Sequence, residues 1–186
     1  MMIAAIIILV VLAIFAIALY NSLIRKRNEV ENAFGGMDVQ LKKRYDLIPN
    51  LVATVQQYAK HEKELLEKVT QLRNQAVGGN LSNDEKVALN NSISGALREI
   101  MVTVENYPDL KANTNFLDLQ RALNEVESQI SASRRTYNAT VTDFNNAIET
   151  FPGNLMAGMM GLTRKSVFEI PDSERQNVNV NDLFKR

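Results

Sequence analysis

The first 24 residues contain no charged side chain, and the first 19 of them are all apolar. A helix rises 1.5 Å per residue, so this stretch extends roughly 36 Å and is long enough to cross a hydrocarbon layer of about 30 Å. Arg25, Lys26 and Arg27 follow directly, whereas no charged side chain precedes the stretch. The pattern predicts a membrane-spanning anchor over residues 1–24, with its N-terminus outside and its basic flank in the cytoplasm.

A cleaved signal peptide is the alternative interpretation of the same stretch. Ala16-Ile17-Ala18 has the small-x-small form of a cleavage site. A signal peptide also carries a basic segment before its apolar run, and no such segment is present in the sequence. A retained anchor is therefore the favoured interpretation.

Two rows of apolar residues at intervals of seven follow the anchor. The first row contains Phe34, Leu41, Ile48, Val55, Val69 and Ala76, interrupted by Glu62, and the second contains Met37, Leu51, Tyr58, Leu65 and Leu72. Such a stripe is typical of a helix packed on one face, so one long helix is predicted from the membrane outward. Pro49 lacks a backbone N–H and crowds the preceding turn, which predicts a kink or short break between Asp46 and Asn50.

Helix start and stop signals divide the next part of the chain. Gly78-Gly79-Asn80 predicts a helix end, and the stretch from Ser82 to Glu85 has the form of a capping box that begins a new helix. Apolar residues at steps of three and four continue to Val104, and Pro108 pushes the residue before it away from helical geometry. A helix of about 20 residues is expected between these signals.

The most regular repeat contains large apolar residues every seven positions without a gap. They are Phe116, Leu123, Ile130, Tyr137, Phe144 and Phe151. The companion apolar positions shift gradually along the repeat, as in a straight helix of 3.6 residues per turn, which favours a bundle over a long supercoil. The sequence therefore predicts an all-α fold, in which residues 25–170 form an antiparallel bundle of long helices and this last helix ends before Pro152.

The stretch from Gly153 to Leu162 is apolar, rich in Met and Gly, and too short to span a bilayer. It is expected to be a loop or short helix that covers the end of the bundle, or else a contact with a neighbouring subunit or with the membrane surface. If it is helical, Gly153, Ala157 and Gly161 lie on one face and allow close approach of another backbone. Residues 171–186 are polar and are expected to be a loosely held tail.

Composition excludes several kinds of chemistry. The chain has no cysteine and one histidine, His61, so it offers neither disulfides nor the usual zinc ligand sets. His61-Glu62 begins like the zinc protease pattern H-E-x-x-H, but Leu65 occupies the position of the second histidine. No phosphate-binding loop is present, and a serine nucleophile would lack its usual base. We therefore expect no enzymatic activity, no metal and no cofactor.

The formal net charge is zero, so nothing in the overall charge favours a nucleic-acid partner. Lys42, Lys43 and Arg44 form a second basic cluster, roughly 25 Å from the first along a helix. Two interpretations stay open for it, a solvated helix face and a docking patch for an acidic partner. Interleaved exposed aromatic residues and a wider basic stripe, which nucleic-acid binding requires, are absent from the sequence.

The chain resembles the LemA family of bacterial membrane-anchored proteins from the anchor to about Glu169. The resemblance is carried by Tyr20-Asn21, Arg27-Asn28, the run from Asp38 to Arg44, the run from Asp46 to Val52, Glu105-Asn106-Tyr107-Pro108, Arg134-Arg135, Tyr137-Asn138 and Phe151-Pro152. The chain departs from the family in having Phe34 where a tryptophan is usual, followed by Gly35-Gly36.

The resemblance implies a single N-terminal span with the N-terminus outside and a cytoplasmic antiparallel bundle. It implies no catalytic residue, because the family has no established enzymatic activity. Members are encoded near membrane proteases and other envelope-stress genes, so envelope proteins of these kinds are the partners that it suggests.

Three functions are compatible with these observations. The leading one is a helical scaffold or interaction protein that self-assembles at the cytoplasmic face. A ligand or stress sensor with a pocket between helices is the second, suggested by Tyr58, Tyr107 and Tyr137 as polar-ended aromatic residues near the core. Membrane remodelling by clustered anchors is the third.

Overall fold

The structure, a computed structural model, describes residues 1–79 and 81–168, and over these residues it is all-α as predicted. Its helices are α1 (Met2–Tyr58), α2 (Lys63–Gly78), α3 (Asn83–Val104), α4 (Pro108–Lys111), α5 (Thr114–Glu149) and α6 (Gly153–Met159). The predicted polar tail and the last two residues of the predicted bundle lie outside the described residues.

The two long helices, α1 and α5, run antiparallel and share the most extensive contact in the described chain. α2 and α3 pack on each other and beside the outer part of α1, where Arg73 of α2 contacts Tyr45 and Lys86 of α3 contacts Asp38. α4 is a short link before α5, and α6 packs against both α5 and α1. These helices form the antiparallel bundle that the hydrophobic pattern predicts.

Most members of the predicted apolar rows form the core of the bundle, whereas Tyr58 and Phe151 are exposed. The buried members are Phe34, Leu41, Ile48, Val55 and Val69 from the first repeat and Phe116, Leu123, Ile130, Tyr137 and Phe144 from the repeat of α5. Burial of such side chains stabilises the fold by roughly 1.5–3 kcal/mol each. Most positions of the heptad rows are therefore occupied by contacts within one chain.

The short break that was predicted near Pro49 is wrong, and the alternative of a kink there stays a prediction. α1 continues through Pro49 to Tyr58, and the chain reverses direction only at the turn before Lys63. Proline leaves the carbonyl four residues earlier without its helical donor, and here Arg73 of α2 donates from Nε to that Tyr45 carbonyl at 3.4 Å. A neighbouring helix thus supplies the donor that Pro49 lacks.

The other boundary signals agree more closely with the structure. α2 ends at Gly78, and α3 begins with the capping box, in which the Glu85 N–H donates to Ser82 Oγ and the Ser82 N–H donates to the Glu85 carboxylate. α5 ends at Glu149, two residues before the last member of its heptad row. The stretch after Pro152 forms α6, as the helical alternative predicted.

The first 15 residues are all exposed, and this part of α1 projects from the bundle. Among the described residues, α1 is the one helix that is long and apolar enough to cross a membrane, and its most apolar 18-residue window has a mean hydropathy of 3.4 and no buried residue. Burial on α1 begins at Leu23, which is 1% exposed. We refer to residues 1–24 as the apolar segment, and to the part of the bundle beside Leu23 as its anchor end.

The opposite end of the bundle is held together by polar contacts between two turns. Asn113 donates from Nδ2 to the Tyr58 hydroxyl at 2.9 Å, and Tyr107 donates its hydroxyl proton to Glu62 at 3.0 Å. These bonds fix the turn between α1 and α2 against the turns around α4, so α1 is anchored within the fold along its whole length beyond the apolar segment.

Candidate functional site

The most unusual group in the core is the guanidinium of Arg44 on α1, which is 1% exposed. Its Nη1 donates to Ser94 Oγ on α3 at 2.8 Å and to Glu127 Oε2 on α5 at 2.7 Å. Its Nη2 donates to the Asn90 backbone carbonyl at 3.3 Å and also to the Asn90 side-chain oxygen. Arg44 therefore connects three helices of the bundle through charge-assisted hydrogen bonds.

The electrostatics of this Arg44 cluster are those of a buried ion pair that opens to solvent on one side. Burial lowers the pKa of the Arg44 guanidinium, and the facing Glu127 carboxylate opposes that change. The side chain of Glu127 is 48% exposed. A pocket of about 230 Å³ beside the pair is lined by Arg98, Met101 and other residues of α1, α3 and α5. The cluster holds the helices in register and offers no nucleophile paired with a base.

Arg44 is not part of the predicted docking patch, because it is buried. Lys42 and Lys43 lie on the exposed side of α1, and Lys42 donates to Asp46 at 2.7 Å, whereas Arg44 points into the core. Three consecutive helical residues are spread over most of one turn, so they do not share a face. Only Lys42 and Lys43 are placed to meet a partner, and the docking patch stays a prediction for those two.

A signal for the buried position of Arg44 is present in the sequence. The second apolar row contains Met37, Leu51 and Tyr58, and the missing member between Met37 and Leu51 is Arg44. A charged residue in an apolar row is buried only when it is paired. Its partner Glu127 is 83 residues away in the sequence, which is why the row alone did not identify it.

The basic flank lies on α1 immediately after the apolar segment. Arg25 and Arg27 are exposed, Lys26 is half-buried, and Arg27 donates to Glu31 at 3.0 Å. The flank therefore forms a band of positive charge beside the anchor end of the bundle, which is where the sequence predicted it.

The three small residues predicted to share a helical face do not do so. Gly153 and Ala157 are buried within the fold, while Gly161 lies beyond the end of α6 with a φ of 64°. A Cβ on Gly153 would overlap the Ala147 carbonyl of α5. The close backbone approach is thus made within the chain, and Gly153 and Ala157 are not available to a neighbouring subunit.

Two asparagines of α5 hold the chain that follows α6. Asn145 donates to the Lys165 carbonyl at 2.8 Å and accepts from the Lys165 N–H at 2.9 Å. Asn138 makes the same pair of bonds with the backbone of Phe168, at 2.9 and 2.7 Å. The two asparagines lie seven residues apart on one helical face, and this spacing is the sequence signal that was missed.

The aromatic residues named as features of a sensor are separated in the structure. Tyr137 is buried between Phe34 and Phe168, with edge-to-face ring contacts at centroid distances of 5.7 and 5.3 Å. Tyr58 and Tyr107 lie at the opposite end of the bundle. The hydrogen bond to Glu62 raises the pKa of the Tyr107 hydroxyl. The three tyrosines therefore do not line one ligand pocket.

Potential metal ligands are dispersed as well. His61 lies in the turn after α1 and not on a helix. Within residues 1–79 and 81–168, no group of three or more His, Asp or Glu side chains is arranged to hold a metal ion.

Comparison with known proteins agrees with the geometry. Residues 33–181 match the model of the LemA family, and this match includes the Arg44 cluster, the asparagines of α5 and α6. The chain belongs to the LemA family. The matched region begins after the apolar segment and covers the helices of the bundle.

Individual relatives show the same similarity. "Protein LemA" of Metamycoplasma hominis is 29% identical over 163 residues, covering 88% of this chain and 74% of the relative. "Magnetosome protein MamQ 2" of Paramagnetospirillum magneticum is 21% identical over 175 residues, and "Magnetosome protein MamQ" of Magnetospirillum gryphiswaldense is 23% identical over 174 residues. This LemA family chain aligns with 64% of the length of each magnetosome relative.

None of these names is the name of an enzyme. Together with the exposed apolar helix, the comparisons indicate that this LemA family member is a membrane-associated protein.

Proposed function

We propose that this LemA family protein is a non-enzymatic scaffold or interaction protein anchored by residues 1–24. In this proposal the N-terminus is outside, the bundle of residues 25–170 lies at the cytoplasmic face, and copies of the chain self-assemble there. The continuity of α1 carries the proposal, because one helix supplies both the exposed apolar segment and the core of the bundle from Leu23 onward.

A continuous helix transmits orientation from the bilayer to the bundle. Flexible linkers leave a domain free to tumble, whereas a helix that is packed along its length does not. Arg44, the turn contacts of Tyr58 and the donor supplied to the Tyr45 carbonyl each fix α1 within the bundle. The bundle is therefore suited to present its surface, including Lys42 and Lys43, in a fixed direction to envelope proteins such as membrane proteases.

Self-assembly is assigned to the apolar segment and not to the bundle. Most members of the heptad rows that could have served a neighbouring subunit are buried in the core, and Gly153 and Ala157 are buried with them. The first 15 residues of the apolar segment are all exposed in the fold. Confinement to a membrane plane raises the effective concentration of such segments, so that weak contacts between them are sufficient.

Sizing of the detergent-extracted protein tests self-assembly. The full chain is compared with a chain that begins at Ser22, which removes most of the apolar segment but retains the buried Leu23. We expect an oligomer for the full chain and a monomer for the shortened chain. A monomeric full chain would contradict self-assembly, and an oligomeric shortened chain would place the contact in the bundle.

Sidedness is tested with a single cysteine, since the natural chain contains none. Lys60 is exposed in the turn between α1 and α2, so Lys60→Cys places a thiol where a reagent can contact it. In intact cells the thiol should resist an impermeant reagent and react after the membrane is permeabilised. Labelling in intact cells would place the bundle outside.

The alternatives predict different results. Membrane remodelling by clustered anchors would deform vesicles that contain the full chain. A sensor would bind a small molecule between helices, and the pocket of about 590 Å³ between α1 and α2, lined by Val52, Gln56 and Leu66 among others, is the place to look for it. Because the three tyrosines are separated, the sensor hypothesis has less support than the scaffold hypothesis.

A further inference from the structure

The antiparallel register of α1 and α5 determines what lies beside the membrane. Phe34 contacts Tyr137, and Arg44 contacts Glu127, so a step back along α1 corresponds to an equal step forward along α5. When this register is continued, Ile148 falls level with Leu23, and both are buried. The chain after α5 then falls level with Tyr20, which is within the apolar segment.

α6 is therefore located beside the end of the apolar segment that joins the bundle. It packs against both α5 and α1, with Gly153 and Ala157 facing inward. Beside it on α1, Ala16 and Leu19 are half-buried although their neighbours in the apolar segment are exposed. This partial burial occurs at the level where the register places α6.

The outward side of this region is strongly apolar. Phe151, Leu155 and Met159 recur at steps of four and are 79%, 62% and 84% exposed. No charged residue occurs between Glu149 and Arg164. Exposed apolar patches of this kind on a folded domain mark a contact surface. We refer to these three residues as the α6 apolar face.

The charges around the α6 apolar face are arranged as in interfacial membrane elements. Arg25 and Arg27 are exposed on α1 next to the anchor end, and Arg164 follows α6; Arg27 pairs with Glu31 at 3.0 Å and Arg164 with Glu149 at 2.9 Å. Apolar residues beneath a basic band are the pattern of a segment that lies at the boundary between lipid headgroups and acyl chains.

We propose that the α6 apolar face inserts into the headgroup and acyl boundary of the same phospholipid bilayer that receives the apolar segment. The bundle is then attached to the membrane at two points, which fixes its tilt and rotation about the anchor. This inference rests on the proposed membrane anchor and goes beyond it, because a single anchor helix joined rigidly to the bundle can still tilt in the bilayer.

Tryptophan fluorescence tests the proposal, since the natural chain contains no tryptophan. Phe151→Trp places the probe in the α6 apolar face, Phe15→Trp places it in the apolar segment, and Val102→Trp places it on α3. Val102 is 66% exposed, so it matches Phe151 in being an exposed apolar residue. It lies near the end of α3 that is remote from the anchor. Each full-length variant is reconstituted in phosphatidylcholine vesicles with and without brominated lipid.

The emission of Phe151→Trp should be shifted to the blue and quenched by brominated lipid. Lipid that carries bromine near the headgroup should quench it strongly, and lipid that carries bromine deep in the acyl chain should quench it weakly. Phe15→Trp should also be quenched, and Val102→Trp should be quenched only by an aqueous quencher. Iodide should be less effective on Phe151→Trp than on Val102→Trp.

Three other outcomes would overturn the inference in distinguishable ways. Quenching of Phe15→Trp without quenching of Phe151→Trp leaves the anchor intact and refutes the α6 contact. Absence of lipid quenching at both positions refutes the proposed anchor as well. The blue shift of Phe151→Trp could instead be insensitive to brominated lipid and disappear when the protein-to-lipid ratio is lowered. That result assigns the α6 apolar face to a contact with a second copy of the chain.

Discussion

Removal of the Glu127 carboxylate should destabilise the bundle, because it leaves the Arg44 guanidinium buried without its counter-charge. Breaking a fully buried pair from one side costs about 3–5 kcal/mol, and a hydrogen bond to a charged group contributes about 1.5–3 kcal/mol. The side chain of Glu127 is 48% exposed, so water can replace part of its interaction. We therefore expect Glu127→Ala to lower the free energy of unfolding by about 2 kcal/mol.

Thermal unfolding of the full chain in detergent, followed by circular dichroism, measures this loss. About 2 kcal/mol corresponds to a fall in Tm of roughly 4–8 °C for a chain of this size. Glu125→Ala is the matched control, since Glu125 is an exposed glutamate on the same helix whose hydrogen bond is to Gln129. Exposed substitutions of this kind stay within about 0.5 kcal/mol.

A double variant separates the ion pair from the loss of a side chain. In Arg44→Met with Glu127→Ala no uncompensated charge remains, and replacement of a buried pair by apolar residues is often close to neutral. The double variant should be more stable than the sum of the two single variants predicts. If Glu127→Ala behaves like Glu125→Ala, or if the two effects are additive, Arg44 does not depend on Glu127 and the reasoning is wrong.

Three further predictions concern other contacts. Gly153→Ala should lower stability by about 1–3 kcal/mol through overlap with α5, whereas Gly158→Ala, whose Cβ meets nothing within 4 Å, should not, as thermal unfolding will show. Asn145→Ala should release the chain near Lys165 and accelerate tryptic cleavage there. Burial raises the pKa of the Tyr45 hydroxyl in the folded chain, so this hydroxyl loses its proton at a lower pH in the unfolded chain. The stability of the folded chain should therefore fall as the pH rises above about 10. Tyr45→Phe should reduce that fall.

Each of these predictions has a result that would contradict it. Equal stability of the two glycine variants would mean that α6 does not approach α5 closely. Asn146→Ala, at an exposed neighbouring position, is the control for Asn145→Ala, and equal cleavage rates in both would remove the role assigned to Asn145. An alkaline loss of stability that is unchanged in Tyr45→Phe would belong to other groups.

The hydrophobic pattern alone determined the fold class, the core rows and most helix boundaries. Phe34 and Phe116 were predicted to be buried because helical periodicity is a property of neighbouring positions and does not depend on what packs against them. The capping box between Ser82 and Glu85 is equally local, since both of its bonds lie within one turn. The apolar segment is identified by length and composition.

The tertiary structure decided the features that depend on residues distant in sequence. α1 continues past Pro49 because Arg73 of another helix donates to the carbonyl that the proline leaves free. Arg44 is buried and not part of a surface patch because Glu127 lies opposite it on α5. Helix propensity and spacing contain no information about either partner.

The position of α6 is the clearest example of a feature that depends on the tertiary structure. Its sequence predicted a short apolar segment with several compatible roles, and the antiparallel register of α1 and α5 places that segment beside the apolar part of α1. Register is set by the packing of whole helices, which sums many contacts between residues far apart in the chain. The sequence determined what α6 is made of, and the packing of the two long helices determined where it lies.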